Sequence, residues 1–204
     1  MSRVILASGS PRRKELLAAL IEHFDVVVSD VPEDPVTGDP AAGAVDLARS
    51  KARAVADRYP GATVIGADTV VHDGSRDVGK PAGTDEAREM LSALQGRPHR
   101  VATGVAVLRD ADEWTASSIA RVILAAMSAD TIDVYVASGR PLDKAGAYAI
   151  QDDDVPTVAS FAGCYCSVMG LPLWALRGLL VEAGLEPRDP SQCLARCVSC
   201  PDRP

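Results

Sequence analysis

The sequence predicts an α/β fold built on a mixed, twisted sheet. Apolar runs of strand length alternate with segments of helical period along most of the 204 residues. In addition, two neighbouring runs are separated by the short polar stretch Asp110-Ala111-Asp112, which is typical of an antiparallel hairpin. Because a purely parallel sheet contains no hairpins, we expect parallel and antiparallel pairs in one sheet.

The chain opens with a strand, a tight loop and a helix. Val4 to Ala7 is an apolar run that ends in Ser8-Gly9-Ser10-Pro11, and Leu16, Leu17, Leu20 and Ile21 then recur at helical spacing. Ser10 is a suitable N-cap and Pro11 suits the first helical position. The free backbone donors of this helix would face the loop, which therefore suits an anion.

A second strand, loop and helix follow. Phe24 to Ser29 has strand character, and residues 30–39 form an acidic loop rich in Pro and Gly. Asp39-Pro40 opens a helix with one stripe of Ala and Val, and Lys51 lies beside that stripe. Pro60-Gly61 should stop this helix before the next strand.

The remaining elements continue the alternation. We expect strands at Thr63–Ala67, Arg100–Leu108 and Arg121–Ala125, and helices at Thr84–Gly96 and Ser128–Ala137. The length suits a single domain, here residues 1–185. Residues 186–204 are rich in Pro, Arg and Cys without periodicity, and we expect them to form a flexible tail.

Composition excludes several classes of protein. The net charge of −7 argues against a nucleic-acid partner, since backbone binding needs a basic face. The chain has no run of eighteen apolar residues, and its first strand is too short for a signal peptide, so we expect no membrane association and a cytoplasmic location. The five cysteines all lie in the last fifth of the chain, which fits a reducing compartment.

Two other patterns carry little functional weight. The spacing Cys193-x3-Cys197-x2-Cys200 resembles an iron–sulfur pattern, but without a surrounding fold it favours plain free cysteines. His23, His72 and His99 lack metal-ligand spacing, which favours surface or core roles. The P-loop spacing is also absent, so a P-loop kinase or GTPase is not supported.

Residue types suited to a functional site cluster in three stretches that lie at strand ends or in loops, namely residues 8–13, residues 66–69 together with 79–81, and residues 143–151. A triphosphate carries several negative charges and needs several cationic donors, both planar guanidinium groups and compact ammonium groups. The candidates are Arg12, Arg13, Lys51, Lys80 and Lys144.

Two acidic residues are candidates for the accompanying chemistry. Asp68 follows an apolar strand and is a natural metal ligand or base, and Glu33 in the acidic loop is a second candidate ligand. Such a site would bind Mg²⁺ or Mn²⁺ with few protein ligands and several waters. Taken alone, however, an aspartate after a strand more often caps a turn than catalyses.

Several motifs occurring in a fixed order are more specific than any of these residues alone. The run LASGSPRRKELL at residues 6–17 resembles the opening signature of the Maf family, also called septum formation inhibitors. The similarity continues through residues 3–180 with IGADTVV (65–71), GKP (79–81), LQGRPH (94–99), TGV (103–105), DKAGAY (143–148) and VMGLPL (168–173).

This resemblance implies a fold similar to the inosine-triphosphate pyrophosphatases, with a cleft between two lobes, and a homodimer. It also implies hydrolysis of a nucleoside triphosphate to the monophosphate and pyrophosphate by a metal-activated water. In the family, the residue matching Asp68 is taken as the proton acceptor. The residues that match Ser8, Arg13, Glu33, Lys51 and Lys80 hold substrate or metal.

The resemblance separates substrate classes as well. Family members that act on dTTP and UTP are similar to this chain at Arg12, Thr69 and Gln151, whereas members that act on 7-methyl-GTP carry Trp, Gln and Glu there. The Gln151 amide offers both a donor and an acceptor, which suits the edge of uracil or thymine. Two alternatives stay open: a pyrophosphatase for 7-methyl-GTP or modified nucleotides, and a non-enzymatic nucleotide-binding regulator of septum formation.

Overall fold

The computed structural model describes residues 3–32, 38–152 and 154–204, and within these ranges it forms one seven-stranded sheet. The strands are β1 (Val4–Leu6), β2 (Asp25–Val26), β3 (Thr63–His72), β4 (Asp77–Val78), β5 (Pro98–Arg109), β6 (Asp112–Leu124) and β7 (Val158–Ala162). The α-helices are α1 (Pro11–Ala18), α2 (Pro40–Ala56), α3 (Thr84–Leu94), α4 (Ala129–Ala137), α5 (Tyr165–Met169), α6 (Leu173–Glu182) and α7 (Pro190–Cys193). Short 3₁₀ helices cover Arg140–Asp143, Ala145–Ala147 and Ala195–Cys197.

The sheet is mixed, as predicted. Its order is β2-β1-β3-β5-β6-β7, and β4 pairs with the end of β3 on the edge opposite β5. Strand β1 runs parallel to both β2 and β3, whereas β3 with β5, β5 with β6, and β6 with β7 are antiparallel. The parallel pairs come from the strand–helix–strand units at the start of the chain, and the antiparallel pairs come from its long middle strands.

Several strand boundaries differ from the prediction. The hairpin at Asp110 is confirmed, with Asp110 at a φ of 52°, but β6 begins at Asp112 instead of Arg121. Strand β3 continues past Asp68 to His72 because it pairs with β5 over its whole length. Strand β2 is only two residues long, since a short β1 offers it few backbone partners.

The starts of the first two α-helices are as predicted. The Ser10 hydroxyl accepts from the backbone N–H of Arg13, and Pro11 occupies the first position of α1. Likewise, the Asp39 carboxylate accepts from the backbone of Ala42 and Pro40 opens α2. These caps satisfy donors that a helix start leaves unpaired, and they fix where each helix leaves the sheet edge.

Helix α2 packs unusually close to the sheet, and two glycines make this possible. A Cβ on Gly66 of β3 would lie 2.1 Å from the Ala48 carbonyl oxygen, and a Cβ on Gly104 of β5 would lie 2.4 Å from the Ala44 carbonyl carbon. No larger residue fits at such distances without moving the helix. The close approach carries the side chain of Lys51 onto the strand that bears Asp68.

The described residues bury separate apolar clusters. One cluster joins α1 to α6 and includes Leu17, Leu173 and Leu176. Another lies under α3 and α4 and includes Leu91 and Tyr135. A third lies between α2 and the sheet. No described helix is both long and apolar enough to cross a membrane.

The C-terminal segment, residues 186–204, differs from the flexible tail expected from its sequence. Here it forms α7 and a 3₁₀ turn that lie against the body of the protein. The backbone N–H of Arg188 donates to Leu20, the indole of Trp174 donates to the Cys197 carbonyl at 3.0 Å, and Ser118 donates to Asp202 at 2.6 Å. These contacts reach residues distant in sequence, which is why local periodicity gave no sign of them.

Candidate functional site

A cavity of about 700 Å³ opens where the loop after β1, the middle of β3, the β4 region and residues 143–151 meet. The end of α5 closes its floor at Met169 and Gly170. Its lining therefore comes from elements that pack into both the α1 and the α3 apolar clusters. Cavities of this size commonly hold small molecules.

The cavity brings together the three stretches that the sequence singled out. The predicted site residues that line it are Ser8, Arg12, Arg13, Lys51, Asp68, Thr69, Lys80, Lys144 and Gln151. Glu33 lies outside the described residues. The structure brings these residues together in one cavity, whereas their catalytic and binding roles stay predictions.

Lys51 and Asp68 form a buried ion pair in this cavity. The Lys51 ammonium donates to Asp68 Oδ1 at 2.5 Å, and the two residues are only 5% and 6% exposed. Helix α2 supplies the lysine and strand β3 the aspartate, so the pair depends on the close packing at Gly66. A buried carboxylate held by an ammonium has a fixed orientation toward the cavity.

Arg13 is held by contacts on several sides. Its guanidinium donates to the Gly170 carbonyl at 3.0 Å, to Ser8 Oγ at 3.3 Å and to Thr69 Oγ1 at 3.2 Å. Thr69 in turn lies 3.0 Å from the hydroxyl of Thr103 on the neighbouring strand. Arg13 thus ties the first loop to β3 and to the end of α5, and it presents a preorganised positive charge to the cavity.

Arg12 and Lys144 share a carboxylate at the other side of the cavity. Asp143 lies 3.6 Å from the Arg12 guanidinium and accepts from the Lys144 ammonium at 2.6 Å. Burial opposes ionisation of Asp143, but the hydrogen bond from Lys144 and the charge of Arg12 lower its pKa overall. The sequence placed Asp143 in a motif without assigning it a role, and here it holds two of the predicted cations.

Asp77 is a cavity residue that the sequence analysis missed. Its Oδ1 lies 2.9 Å from His72 Nδ1, and its buried Oδ2 has no hydrogen-bond partner within the described residues. It sits in the two-residue strand β4, whose short sequence carried no periodic signal. Asp77 lines the same cavity as Asp68 and Lys80, so its unpaired carboxylate oxygen adds an oxygen donor to the site.

The one group of possible metal ligands within the described residues contains no histidine, and the three histidines lie in different surroundings. His99 is buried, its Nε2 lies 2.8 Å from the hydroxyl of Tyr148, and burial lowers its pKa. His72 pairs with Asp77, and His23 is exposed. His99 therefore positions Tyr148, a lining residue, from behind the cavity wall.

Gln151 lines the cavity from a turn and is half-buried. The following residues are fixed from outside, because Tyr135 donates to Asp152 at 2.6 Å and Arg140 donates to Asp154 at 2.6 Å. These contacts hold in place the turn that carries Gln151.

Comparison of the sequence with known proteins shows the family of this chain. The family model described as Maf-like protein matches residues 3–183. The chain belongs to the Maf family. It is 46% identical over 185 residues to a dTTP/UTP pyrophosphatase of Symbiobacterium thermophilum, covering 90% of this chain and 95% of that protein.

Two further Maf relatives carry the same name. A dTTP/UTP pyrophosphatase of Myxococcus xanthus is 48% identical over 183 residues, covering 89% of this chain and 93% of the relative. One of Thermomicrobium roseum is 42% identical over 205 residues, covering 98% of this chain and 94% of the relative. The last match must include most of the C-terminal segment.

Proposed function

We propose that this Maf protein hydrolyses dTTP and UTP to the nucleoside monophosphate and pyrophosphate. The observation that carries the proposal is the buried Lys51–Asp68 pair in a cavity that also presents Arg12, Arg13 and Lys80. This combination suits a polyanion whose hydrolysis needs a base. The shared name of the relatives supports the same reaction.

In the proposed mechanism the cationic residues bind the triphosphate and Asp68 accepts the proton of the attacking water. The water oxygen forms a bond to the α-phosphorus, and the bond from that phosphorus to the bridging oxygen of pyrophosphate breaks. Arg12, Arg13 and Lys80 compensate the charge that develops on the phosphate oxygens. Lys51 holds the Asp68 carboxylate in place at 2.5 Å.

A divalent cation fits this donor set. Asp68 and the unpartnered Oδ2 of Asp77 are hard oxygen donors at the cavity, and Glu33 is a further candidate ligand that lies outside the described residues. When bound, Mg²⁺ or Mn²⁺ would neutralise phosphate charge and lower the pKa of a coordinated water. We also expect a homodimer, which sedimentation would test.

The first test is pyrophosphate release from purified protein with Mg²⁺ or Mn²⁺ over dTTP, UTP, CTP, the purine triphosphates and 7-methyl-GTP. The Asp68→Asn variant should lower turnover of dTTP and UTP by roughly two to four orders of magnitude, since it removes the proton acceptor. Asp46→Asn, on the exposed face of α2, is the matched control and should keep normal turnover.

The other outcomes separate the alternatives. Near-normal turnover in Asp68→Asn would remove Asp68 from the mechanism. Activity confined to 7-methyl-GTP or to a modified nucleotide would overturn the pyrimidine assignment. Nucleotide binding without any release of pyrophosphate would favour the regulator of septum formation.

A further inference from the structure

Four of the five cysteines converge at the junction between α5 and the C-terminal segment. Cys164 and Cys166 lie at the start of α5, and Cys197 and Cys200 lie at the 3₁₀ turn near the C-terminus. Cys164, Cys166 and Cys197 are at most 3% exposed, and Cys200 is half-buried. The fifth, Cys193, is exposed. The sequence spacing that grouped Cys193 with the last two was therefore misleading.

The four sulfur atoms form one connected group and not isolated thiols. Cys166 Sγ lies 3.7 Å from Cys197 Sγ, and Cys164 makes hydrogen bonds to both Cys166 and Cys200. The ligand atoms of Cys164, Cys200 and Asp202 lie within 4.8 Å of one another. Two chain segments about thirty residues apart thus bring four thiols and a carboxylate together through successive contacts, from Cys197 to Cys166, Cys164 and Cys200.

Two of these sulfur atoms accept hydrogen bonds from backbone N–H groups. The N–H of Ser167 donates to Cys164, and the N–H of Asp202 donates to Cys200. Backbone donors stabilise a thiolate, which is the form of cysteine that binds metal, and they orient it. In addition, Ser118 of β6 donates to Asp202 at 2.6 Å, so the neighbouring carboxylate is held from the sheet.

The geometry favours a shared cation over a pair of disulfides. Tetrahedral zinc with Zn–S bonds of about 2.3 Å separates its sulfur ligands by about 3.8 Å, close to the 3.7 Å between Cys166 and Cys197. Moreover, Cys164 and Cys166 each contact two other thiols, whereas disulfide partners would form separate pairs. The spacings Cys164-x-Cys166 and Cys197-x2-Cys200 are also short enough for each pair to chelate one ion.

We propose that Cys164, Cys166, Cys197 and Cys200 bind one structural Zn²⁺ ion that fastens the C-terminal segment to the body of the protein. The segment buries little apolar surface of its own, with Cys197 and Pro190 as its buried residues in α7 and the 3₁₀ turn. A metal crosslink supplies the attachment that such a small core does not provide. The site is separate from the Lys51–Asp68 cavity, and none of its ligands lines that cavity.

The test begins with metal analysis of the full chain, produced in medium containing Zn²⁺ and purified without chelators. We expect one zinc per chain by elemental analysis. The variants Cys166→Ser and Cys197→Ser should lose at least nine-tenths of it. Cys193→Ser is the matched control, because this nearby cysteine is exposed and outside the group, and it should retain full zinc.

Replacement of zinc by Co²⁺ identifies the ligands. Four thiolates in tetrahedral geometry should give strong sulfur-to-cobalt absorption in the near ultraviolet and intense bands in the red. Asp202→Asn should leave both the spectrum and the zinc content unchanged. Loss of metal in Asp202→Asn together with retention in Cys166→Ser or Cys197→Ser would overturn the proposed ligand set.

Two results would overturn the site itself. One is a chain without metal whose intact mass, measured without reductant, shows the loss of hydrogens that disulfide formation requires. The other is iron in place of zinc, with the visible absorption of an iron–sulfur centre. The Asp68→Asn variant should keep its zinc, so failure of the proposed catalysis and failure of this site are distinguishable.

Discussion

The cavity and the cysteine group are both made of residues far apart in sequence, but they are held together by different means. The cavity residues project from a continuous sheet, and α2 packs against that sheet at Gly66 and Gly104. The cysteines lie at the start of a five-residue helix and around a 3₁₀ turn, where the C-terminal segment meets the body of the protein. Substitutions at the cavity should therefore affect the stability of the whole fold and the reaction, whereas substitutions at the cysteine group should affect the C-terminal segment alone.

The largest expected effect on stability comes from breaking the buried ion pair. Lys51→Met leaves the Asp68 carboxylate buried without its ammonium partner. We expect the free energy of unfolding, measured with urea, to fall by about 3–5 kcal/mol. Combining Lys51→Met with Asp68→Asn should cost less than the sum of the two single changes, because the uncompensated charges are then both absent.

Arg53→Met provides the control for that experiment. Arg53 lies on the same helix and pairs with Glu113 at the surface, where its side chain is 60% exposed. Such a pair contributes about 0–1 kcal/mol. If Lys51→Met lowered the free energy of unfolding no more than Arg53→Met, the buried ion pair would contribute no more to stability than an exposed one.

The Lys51–Asp68 pair shows what could be predicted from sequence. Lys51 was a candidate as a cationic donor for a triphosphate, and Asp68 was a candidate as a metal ligand or base at the end of an apolar strand. Their contact could not be predicted, since it depends on how closely α2 approaches β3, and that distance is set by Gly66 against Ala48. Motifs identified the site's members, and only tertiary packing determined their partners.

The same division applies to the fold. Caps at Ser10 and Asp39 were predicted correctly because a cap is a local interaction. The extents of β3 and β6 were underestimated because strand length depends on distant partners. The C-terminal segment was the hardest to predict, since its order depends on contacts with Leu20, Ser118 and Trp174.

A second change sharpens the assignment of the cavity by altering selectivity without disturbing the ion pair. Gln151→Glu replaces an amide that can both donate and accept by a carboxylate that only accepts. If Gln151 contacts the pyrimidine edge, the mispaired contact should cost about 1–3 kcal/mol, or roughly 5- to 150-fold in kcat/KM for UTP. The ratio of kcat/KM for UTP to that for 7-methyl-GTP measures the effect.

Gln192→Glu introduces the same chemical change at an exposed position in α7 and should leave the ratio unaltered. An equal fall in kcat/KM for every nucleotide in Gln151→Glu would indicate charge repulsion of the triphosphate. In that case Gln151 would belong with the phosphate-binding residues and not with the base-recognition end of the cavity.

The smallest expected effect tests the cysteine side of the comparison. Trp174→Phe removes the indole N–H that donates to the Cys197 carbonyl at 3.0 Å, and leaves that buried acceptor without this partner. The loss should be about 1 kcal/mol, or roughly fivefold faster hydrogen exchange in peptides from residues 186–204. Because α6 lies outside the cavity lining, pyrophosphate release should not change. Trp114→Phe, on strand β6, removes an indole that makes no hydrogen bond to the segment within the described residues, and it should leave this exchange unaltered. Faster exchange throughout the molecule in Trp174→Phe would mean that the segment unfolds together with the sheet. The cavity and the cysteine group would then belong to one cooperative unit. The C-terminal segment would not be attached independently of the sheet that carries the cavity.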